Sequence, residues 1–351
     1  MSVSKKPFGA LHNGTAVTEY TLTNRIGASV SILDFGGTIT KLYVPDREGN
    51  LADVVLGFDS PLNYEGNGAS MGAIIGRFGN RIGGAAFVLD DKEYVLYKND
   101  GNNSLHGGTI GYNKRMWRAR ARRGKGEDRL EMTLTDSDMT EGFPGTLKLC
   151  VTYVWDDACN LTIVYHATTD KNTVINLTNH SYFNLNGCDG RDIKGHKLQV
   201  NAEYVTEADA ELIPTGKLIP QSEVNYNFTE PTLIGKVLEK TESDEAMRGA
   251  GGVDFNYCMG RDRERKLAAV LYSPESGREM QVITDQPGVQ IYTGNGLHHT
   301  GKSEVSYGAY AGVCLETQHY PDAIHHPQFE TVVLRPCDVY HTETVYAFSV
   351  R

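Results

Sequence analysis

The stretch Leu147-Lys-Leu-Cys-Val-Thr-Tyr-Val-Trp155 is followed by Asp156-Asp-Ala-Cys-Asn160 and then by Leu161-Thr-Ile-Val-Tyr-His-Ala167. Apolar and polar side chains alternate in the two outer runs, and the residues between them are mostly polar. This pattern is typical of two β-strands joined by a short loop. The natural product of such a pair is an antiparallel hairpin, so the stretch predicts a β protein.

The same pattern recurs along the chain. Ala268–Tyr272 and Met280–Thr284 flank one polar turn, and Ala86–Leu89 and Glu93–Tyr97 flank another. Nothing alternates a strand with a long helix, which disfavours a parallel α/β fold. The spacing predicts an all-β fold, a large antiparallel β-sandwich with few short helices.

Helical signals are few. Ser60 is placed to cap one turn that starts at Pro61, and Glu207–Leu212 predicts a second short turn. Residues 221–252 are more polar and irregular than the rest. We interpret them as a long excursion rather than a boundary, and we expect a single domain over residues 1–351.

Composition and charge narrow the class of protein. The chain has 351 residues, of which 40% are hydrophobic and 22% charged, and its 38 Gly, 19 Tyr and 11 Phe suit a turn-rich β protein. The net charge of −10 makes nucleic acid an unsuitable partner. The basic runs at residues 118–123 and 261–266 are interpreted as solvated strand edges or loops.

Targeting signals are weak or missing in the sequence. No run approaches the roughly 18 apolar residues of a membrane span, and Met1–Pro7 does not begin a secretory signal. The six cysteines are scattered without a C-x-x-C motif, which favours a reduced, cytoplasmic protein. Ser349-Val-Arg351 is only loosely similar to a peroxisomal address and receives little weight.

One polar strand face is a candidate binding surface. If Val174–Leu185 is extended, one face carries uncharged hydrogen-bonding side chains and the other is mostly apolar. A strand between a core and a polar cleft has this pattern. The alternative is a solvated outer face, but the absence of Lys and Glu favours the cleft. The polar face comprises Asn176, Thr178, His180, Tyr182 and Asn184.

Two further segments carry candidate residues. Glu316 shares a strand face with Gly312 and Cys314, and these small neighbours leave room for a ligand above the carboxylate. The alternative is an ordinary surface glutamate. Gln290 and Tyr292 share a face in a second segment.

Nucleotide, metal and hydrolase motifs are missing. Gly76–Gly84 does not match G-x-G-x-x-G and is interpreted as tight turns that bring Asn80 and Arg81 to a surface. The adjacent pairs His298-His299 and His325-His326 are poorly placed for one metal, because neighbours on a strand point to opposite faces. There is no H-E-x-x-H, no Cys/His cluster and no G-x-S-x-G elbow, so we expect neither a metal nor a serine hydrolase.

The chain resembles the galactose mutarotase (aldose 1-epimerase) family over nearly its whole length. Each motif alone is weak, but together their order and spacing are specific. The tails, the basic stretch near Arg120 and residues 221–252 lie outside the clear match. The matching motifs are Asp34–Arg47, Asp53–Asp59, Gly76–Ile82, Leu105–Gly108, Asn179–Leu185, Leu212–Gly216, Val253–Phe255, Gln290–Asn295 and Leu315–Ala323.

The resemblance implies a galactose mutarotase-like supersandwich that interconverts the α and β anomers of free hexoses such as galactose and glucose. It implies His180 as general acid and Glu316 as general base, with no cofactor. We expect Glu316 to favour protonated His180. The expected partner is a small hexose, bound by a monomer or weak dimer. The implied sugar contacts are Asn80, Arg81, His106, Ser181, Tyr182, Asp254 and Gln290.

Three other functions remain open from the sequence. A glycosidase would pair Glu316 with Asp254 across a glycosidic bond. A hexose-6-phosphate epimerase would need more Arg or Lys at the cleft than Arg81. A non-catalytic sugar-binding module would need the cleft without the acid/base pair.

Overall fold

The computed structural model describes residues 2–66, 68–124 and 126–351, and it is built mostly of short strands. In chain order these are β1 (Ser2–Ala10), β2 (Ala16–Thr23), β3 (Ser29–Leu33), β4 (Ile39–Pro45), β5 (Leu51–Asp53), β6 (Ile74–Ile75), β7 (Arg81–Ile82), β8 (Ala86–Leu89), β9 (Lys92–Val95), β10 (Ser104–Leu105), β11 (Arg118–Arg123), β12 (Glu127–Asp136), β13 (Leu147–Asp156), β14 (Asn160–Thr169), β15 (Thr173–Val174), β16 (Thr178–Asn179), β17 (Lys197–Val200), β18 (Tyr204–Ala208), β19 (Pro214–Pro220), β20 (Thr232–Leu233), β21 (Asp254–Cys258), β22 (Lys266–Tyr272), β23 (Arg278–Thr284), β24 (Gly288–Tyr292), β25 (His299–Thr300), β26 (Ser306–Tyr307), β27 (Cys314–Gln318), β28 (Val333–Leu334) and β29 (Tyr340–Val350).

The helices are few and short, as the sequence predicts. The α-helices are α1 (Pro61–Glu65), α2 (Ile234–Leu238) and α3 (Glu245–Ala250). Single 3-10 turns lie at Gly83–Ala85, Tyr112–Lys114, Thr140–Gly142, Gln221–Glu223, Thr241–Ser243, Lys302–Glu304 and Ala323–His325. None of the helices in the described ranges is long and apolar enough to cross a membrane.

The predicted hairpin between β13 and β14 is confirmed. The two strands pair antiparallel from Leu147 opposite Thr169 to Trp155 opposite Leu161. Asp156 closes the turn, because its Oδ1 accepts hydrogen bonds from the backbone N–H groups of Ala158, at 2.9 Å, and Asn160, at 2.8 Å. The hairpins β8–β9 and β22–β23 are confirmed in the same way.

A nine-stranded antiparallel sheet forms one layer of the molecule. Its strand order is β11-β12-β13-β14-β29-β23-β22-β17-β20, so the last strand in the sequence lies between β14 and β23 near the middle. β11 lies at one edge and carries the exposed basic run Arg118–Arg123, which confirms the predicted solvated edge. Charged residues on an edge strand discourage pairing with another chain.

Two five-stranded antiparallel sheets pack against this layer and complete the predicted sandwich. Their orders are β1-β2-β3-β4-β5 and β19-β18-β21-β24-β27. Trp155 Nε1 of the large sheet donates to the carbonyl of Ala28, at 3.1 Å, beside the first small sheet. Tyr346 Oη of the large sheet donates to the Leu315 carbonyl, at 3.0 Å, in the second small sheet. Buried residues of all three sheets share one hydrophobic core.

One of the two predicted helical turns is correct. Ser60 caps α1, and its Oγ accepts from the backbone N–H of Leu62 at 3.3 Å. The prediction for Glu207–Leu212 is wrong, since Glu207 and the next residue belong to β18. Asp209 Oδ1 then accepts from the N–H groups of Glu211 and Ile213. This local turn competes with a helix for the same backbone donors.

The irregular residues 221–252 pack into the main core. Their buried members include Phe228, Ile234 and Met247, which belong to the same core cluster as the large sheet. The segment holds α2 and α3, and its last helix ends at Ala250 beside the cavity described below.

Candidate active site

A cavity of about 590 Å³ opens where strands β21, β24 and β27 meet the loops that follow β6 and β10. The fold brings together residues that are far apart in the sequence. Seven of the nine residues predicted for the site line this cavity: Asn80, Arg81, His106, His180, Tyr182, Asp254 and Glu316. Ser181 and Gln290, the remaining two, do not contribute to its lining.

The floor of the cavity comes from three neighbouring strands. Asp254 of β21 lies opposite Tyr292 of β24, and Gln290 of β24 lies opposite Glu316 of β27. Side chains two residues apart on a strand share a face. The antiparallel register therefore places Asp254, Tyr292 and Glu316 on one side of this sheet.

The segment Val174–Leu185 is not the continuous strand that the sequence predicts. Only short pieces of it are strand, and it is buried on both sides. Asn176 Nδ2 donates to the carbonyls of Gly79 and His319 at 3.2 Å, so this side chain supports the backbone rather than facing the cavity. Asn184 likewise bonds backbone carbonyls. Backbone carbonyls next to a buried irregular segment lack regular strand partners, so side-chain amides such as these must supply their hydrogen bonds.

His180 and Glu316 form a buried pair at the base of the cavity. The distance from His180 Nε2 to Glu316 Oε1 is 3.6 Å, and the side chains are 7% and 3% exposed. The His180 ring stacks on Tyr182, with 5.0 Å between ring centroids, and meets the edge of His106 at 5.2 Å. These contacts fix the imidazole against a face that an incoming ligand would touch.

Burial dominates the electrostatics of the pair. It lowers the pKa of His180 to about 4. It also raises the pKa of Glu316 well above its ordinary value; the nearby Asp254 raises it further and Arg81 opposes the rise. The expectation that Glu316 keeps His180 protonated is therefore wrong for the unliganded site, because desolvation outweighs their attraction. Burial therefore favours the uncharged form of both groups in the unliganded site.

Asp254 is the second carboxyl group of the cavity. Gln290, on the same face of the sheet, donates from Nε2 to its Oδ1 at 2.7 Å. Burial raises the pKa of Asp254, while Arg81 and this hydrogen bond lower it. Gln290 thus orients Asp254 and does not itself line the cavity.

The glycine-rich turn positions Asn80, Arg81 and His106. Asn80 has a left-handed backbone, with φ of 63°, and its N–H donates to His106 Nδ1 at 3.1 Å. Burial lowers the pKa of His106 well below its usual value. The neutral ring therefore carries its proton on Nε2, the nitrogen left free to donate. Arg81 Nε donates to Asp100 Oδ2 at 2.7 Å, which holds the guanidinium at the rim.

Arg77 anchors the same turn from within the protein. Its side chain is 1% exposed and pairs with Asp136, with Nη2 2.8 Å from Oδ2. Its Nη1 also donates to the carbonyls of Pro144 and Gly145. Each donor of a buried guanidinium needs such a partner. Arg77 therefore has a structural role in the motif that also carries Asn80 and Arg81.

Ser181 supports the site from behind. Its Oγ donates to Asn179 Oδ1 at 2.7 Å, and Asn179 Nδ2 donates to the Gly72 carbonyl at 2.9 Å. The small residue Gly312 also acts differently from the prediction. A side chain there would lie 2.9 Å from the Cβ of Tyr182, so the missing side chain makes room for Tyr182 rather than for a ligand.

Several lining residues were missed by the sequence reasoning. Most lie on loops without periodicity. Tyr292 was noted on the strand face of Gln290 but was not assigned to the site. The missed residues are Ser70, Leu105, Leu212, Gly249, Ala250, Leu297, His298 and His299, together with Gly68, Ala69 and Gly296.

The structure also shows a Cys/His cluster, which the sequence reasoning had excluded. One ligand atom from each of His180, Cys314 and Glu316 lies within 4.8 Å of the others, and all three residues are buried. Cys314 Sγ lies 3.4 Å from His180 Nδ1. These residues are 134 apart in the sequence, so no spacing motif indicates their meeting.

The antiparallel sandwich that holds this polar cavity is shared with enzymes that act on carbohydrates, as comparison with known proteins shows. The chain belongs to the aldose 1-epimerase family, whose model matches residues 18–347.

Individual relatives agree with this assignment. The chain is 38% identical to the galactose mutarotase of Sus scrofa over 352 aligned positions, covering 100% of this chain and 99% of the relative. It is 32% identical to the aldose 1-epimerase of Escherichia coli, covering 93% and 94%. Among solved structures, galactose 1-epimerase from Lactobacillus acidophilus superposes with a TM-score of 0.87 at 27% identity, covering 100% and 99% of the two chains.

Proposed function

We propose that this protein is an aldose 1-epimerase that interconverts the α and β anomers of free hexoses such as galactose and glucose. In this proposal His180 is the general acid and Glu316 the general base. The observation that carries it is the buried pair, with Nε2 and Oε1 only 3.6 Å apart at the base of the cavity.

The reaction moves two protons. A base takes the proton of the C1 hydroxyl while an acid donates one to the ring oxygen, and the bond between C1 and the ring oxygen breaks. The resulting aldehyde rotates about C1–C2 and closes again on its other face. Because no electron and no group is transferred, the proposal requires no cofactor. A carboxylate and an imidazole suit the two proton transfers.

The proton count of the pair suits this chemistry. The unliganded form, with neutral His180 and protonated Glu316, differs from the working form by one proton transfer within the pair. That transfer gives a carboxylate to accept the C1 hydroxyl proton and an imidazolium to donate to the ring oxygen. The reverse direction uses the same two groups in exchanged roles.

The remaining lining residues hold the sugar. We propose that Asn80, Arg81, His106 and Asp254 bond the hydroxyl groups away from C1, and that Tyr182 packs on an apolar sugar face. Gln290 acts through Asp254. The hydroxyl of Ser181 bonds Asn179 rather than the sugar.

The cavity favours an uncharged sugar. Arg81 is the one Arg or Lys among its described lining residues, and it is already paired with Asp100. A hexose phosphate would bring a dianion beside Asp254 and Glu316 with little to offset it. We therefore propose a free hexose as the partner of this protein. We also propose that the protein is a single domain, that it is cytoplasmic, and that it is a monomer or weak dimer.

Polarimetry on freshly dissolved α-galactose tests the function. The protein should accelerate the change in rotation beyond the spontaneous rate, and comparison with α-glucose gives the preference by kcat/KM. Binding without acceleration would instead indicate a sugar-binding module. Release of the aglycone from an aryl galactoside would indicate a glycosidase that uses Glu316 and Asp254.

A further inference from the structure

The cluster of His180, Cys314 and Glu316 offers three different ligand atoms to one point in space. A ring nitrogen, a thiol sulfur and a carboxylate oxygen lie within 4.8 Å of one another. This donor set suits zinc and similar borderline metals, whereas magnesium and calcium take oxygen ligands.

The distances fit a tetrahedral ion closely on one side. A zinc ion about 2.1 Å from nitrogen and about 2.3 Å from sulfur holds these atoms roughly 3.5 Å apart. The observed distance from Cys314 Sγ to His180 Nδ1 is 3.4 Å. Glu316 Oε1 lies 3.6 Å from the other ring nitrogen, Nε2, and all three ligand atoms lie within 4.8 Å of one another, so the Glu316 carboxylate is the ligand that must move closer.

An unpartnered oxygen points to a ligand at this place. Glu316 is 2% exposed, and its Oε2 has no hydrogen-bond partner among the described residues. A buried carboxylate oxygen without a partner is costly, and a cation supplies one. His180 and Glu316 also line the open cavity, which leaves a fourth position for water.

We propose that His180, Cys314 and Glu316 form an inhibitory site for Zn²⁺ at the base of the cavity. The bound ion occupies a lone pair of Glu316 and fills the base of the cavity, so Glu316 cannot accept a proton from a sugar. Binding of the metal is independent of the proposed function, whereas inhibition rests on it.

Cobalt binding tests the site without an activity assay. Co²⁺ added to the metal-free protein should give a thiolate-to-cobalt charge-transfer band in the near ultraviolet. The Cys314→Ala variant should lose this band, and Cys337→Ser, which alters an exposed cysteine, should keep it. His180→Asn provides a second variant and should shift or lose the band. No band in the wild-type protein, or a band that survives in Cys314→Ala, overturns the proposal.

Polarimetry with added Zn²⁺ tests the inhibition. We expect zinc to slow mutarotation in the wild type. The zinc concentration for half-inhibition should rise at least about tenfold in Cys314→Ala, because even the loss of a residue that only hydrogen-bonds a metal ligand lowers metal affinity by about 10–100-fold. Each variant is compared with its own zinc-free rate. A cobalt band without zinc inhibition would overturn the inhibitory role and the acid/base assignment, while leaving the metal site in place.

Discussion

Removal of the proposed acid and base, singly and together, tests the central pair most directly. Glu316→Gln keeps the size of the side chain but cannot accept the C1 hydroxyl proton. His180→Asn keeps a polar group but cannot deliver a proton to the ring oxygen. A positioned acid or base contributes about 10²–10⁴ in rate, which is about 3–5 kcal/mol of barrier. We expect each variant to lose kcat by this factor.

The 3.6 Å between Nε2 and Oε1 sets the expectation for the double variant. Two groups that act together on one sugar form a unit, so removing the second after the first costs little more. The double variant should therefore resemble the poorer single variant, whereas independent roles would multiply to a loss of about 10⁴–10⁸.

The assay is polarimetry of fresh α-galactose with the spontaneous rate subtracted. Ser181→Ala is the matched control, because its Oγ bonds Asn179 away from the cavity. It should retain kcat and lose only about 1 kcal/mol of stability. Near wild-type kcat in either single variant, or a multiplied loss in the double variant, refutes the reasoning.

The pH profile of kcat/KM should show an acid limb and an alkaline limb. Its acid limb lies near pH 4, where His180 takes up a proton and the pair lacks a base; its alkaline limb lies where Glu316 loses the last proton of the pair. Asp254→Asn removes a charge that raises the pKa of Glu316, so the alkaline limb should move to lower pH in the same assay. Arg77→Met should lower the free energy of unfolding by about 3 kcal/mol in denaturant titrations, because the buried carboxylate of Asp136 loses its closer arginine partner and keeps only Arg115, at 3.3 Å. Lys171→Met breaks an exposed ion pair and should cost less than about 1 kcal/mol.

Local sequence patterns predicted much of the fold. The alternation in Leu147–Ala167 gave the correct strands because one face of that hairpin is buried and the other is less so. The alternating pattern wrongly predicted a continuous strand at Val174–Leu185, where both faces are buried and hydrogen bonds to other parts of the fold replace regular strand pairing. It also failed at Asp209, where a side-chain turn replaced a helix.

Glu316 was predicted as a site residue from a strand pattern and a family motif, and it lies on β27. His180 was predicted from a motif and from a strand that ends at Asn179 in the structure. The separation and ionisation of the two groups depend on how deeply the fold buries them. The partnership of Cys314 with His180 depends on long-range packing, which no local pattern encodes. Loop residues such as His298 have neither periodicity nor a distinctive motif.

The central place of β29 has a consequence for biosynthesis. During translation β14 and β23 are both complete before β29 emerges, and it is the strand that joins them. Until then each presents an open hydrogen-bonding edge, which can pair with another nascent chain. The largest sheet therefore stays in two parts until β29 has been synthesised, and chaperones that shield strand edges should matter most in that interval.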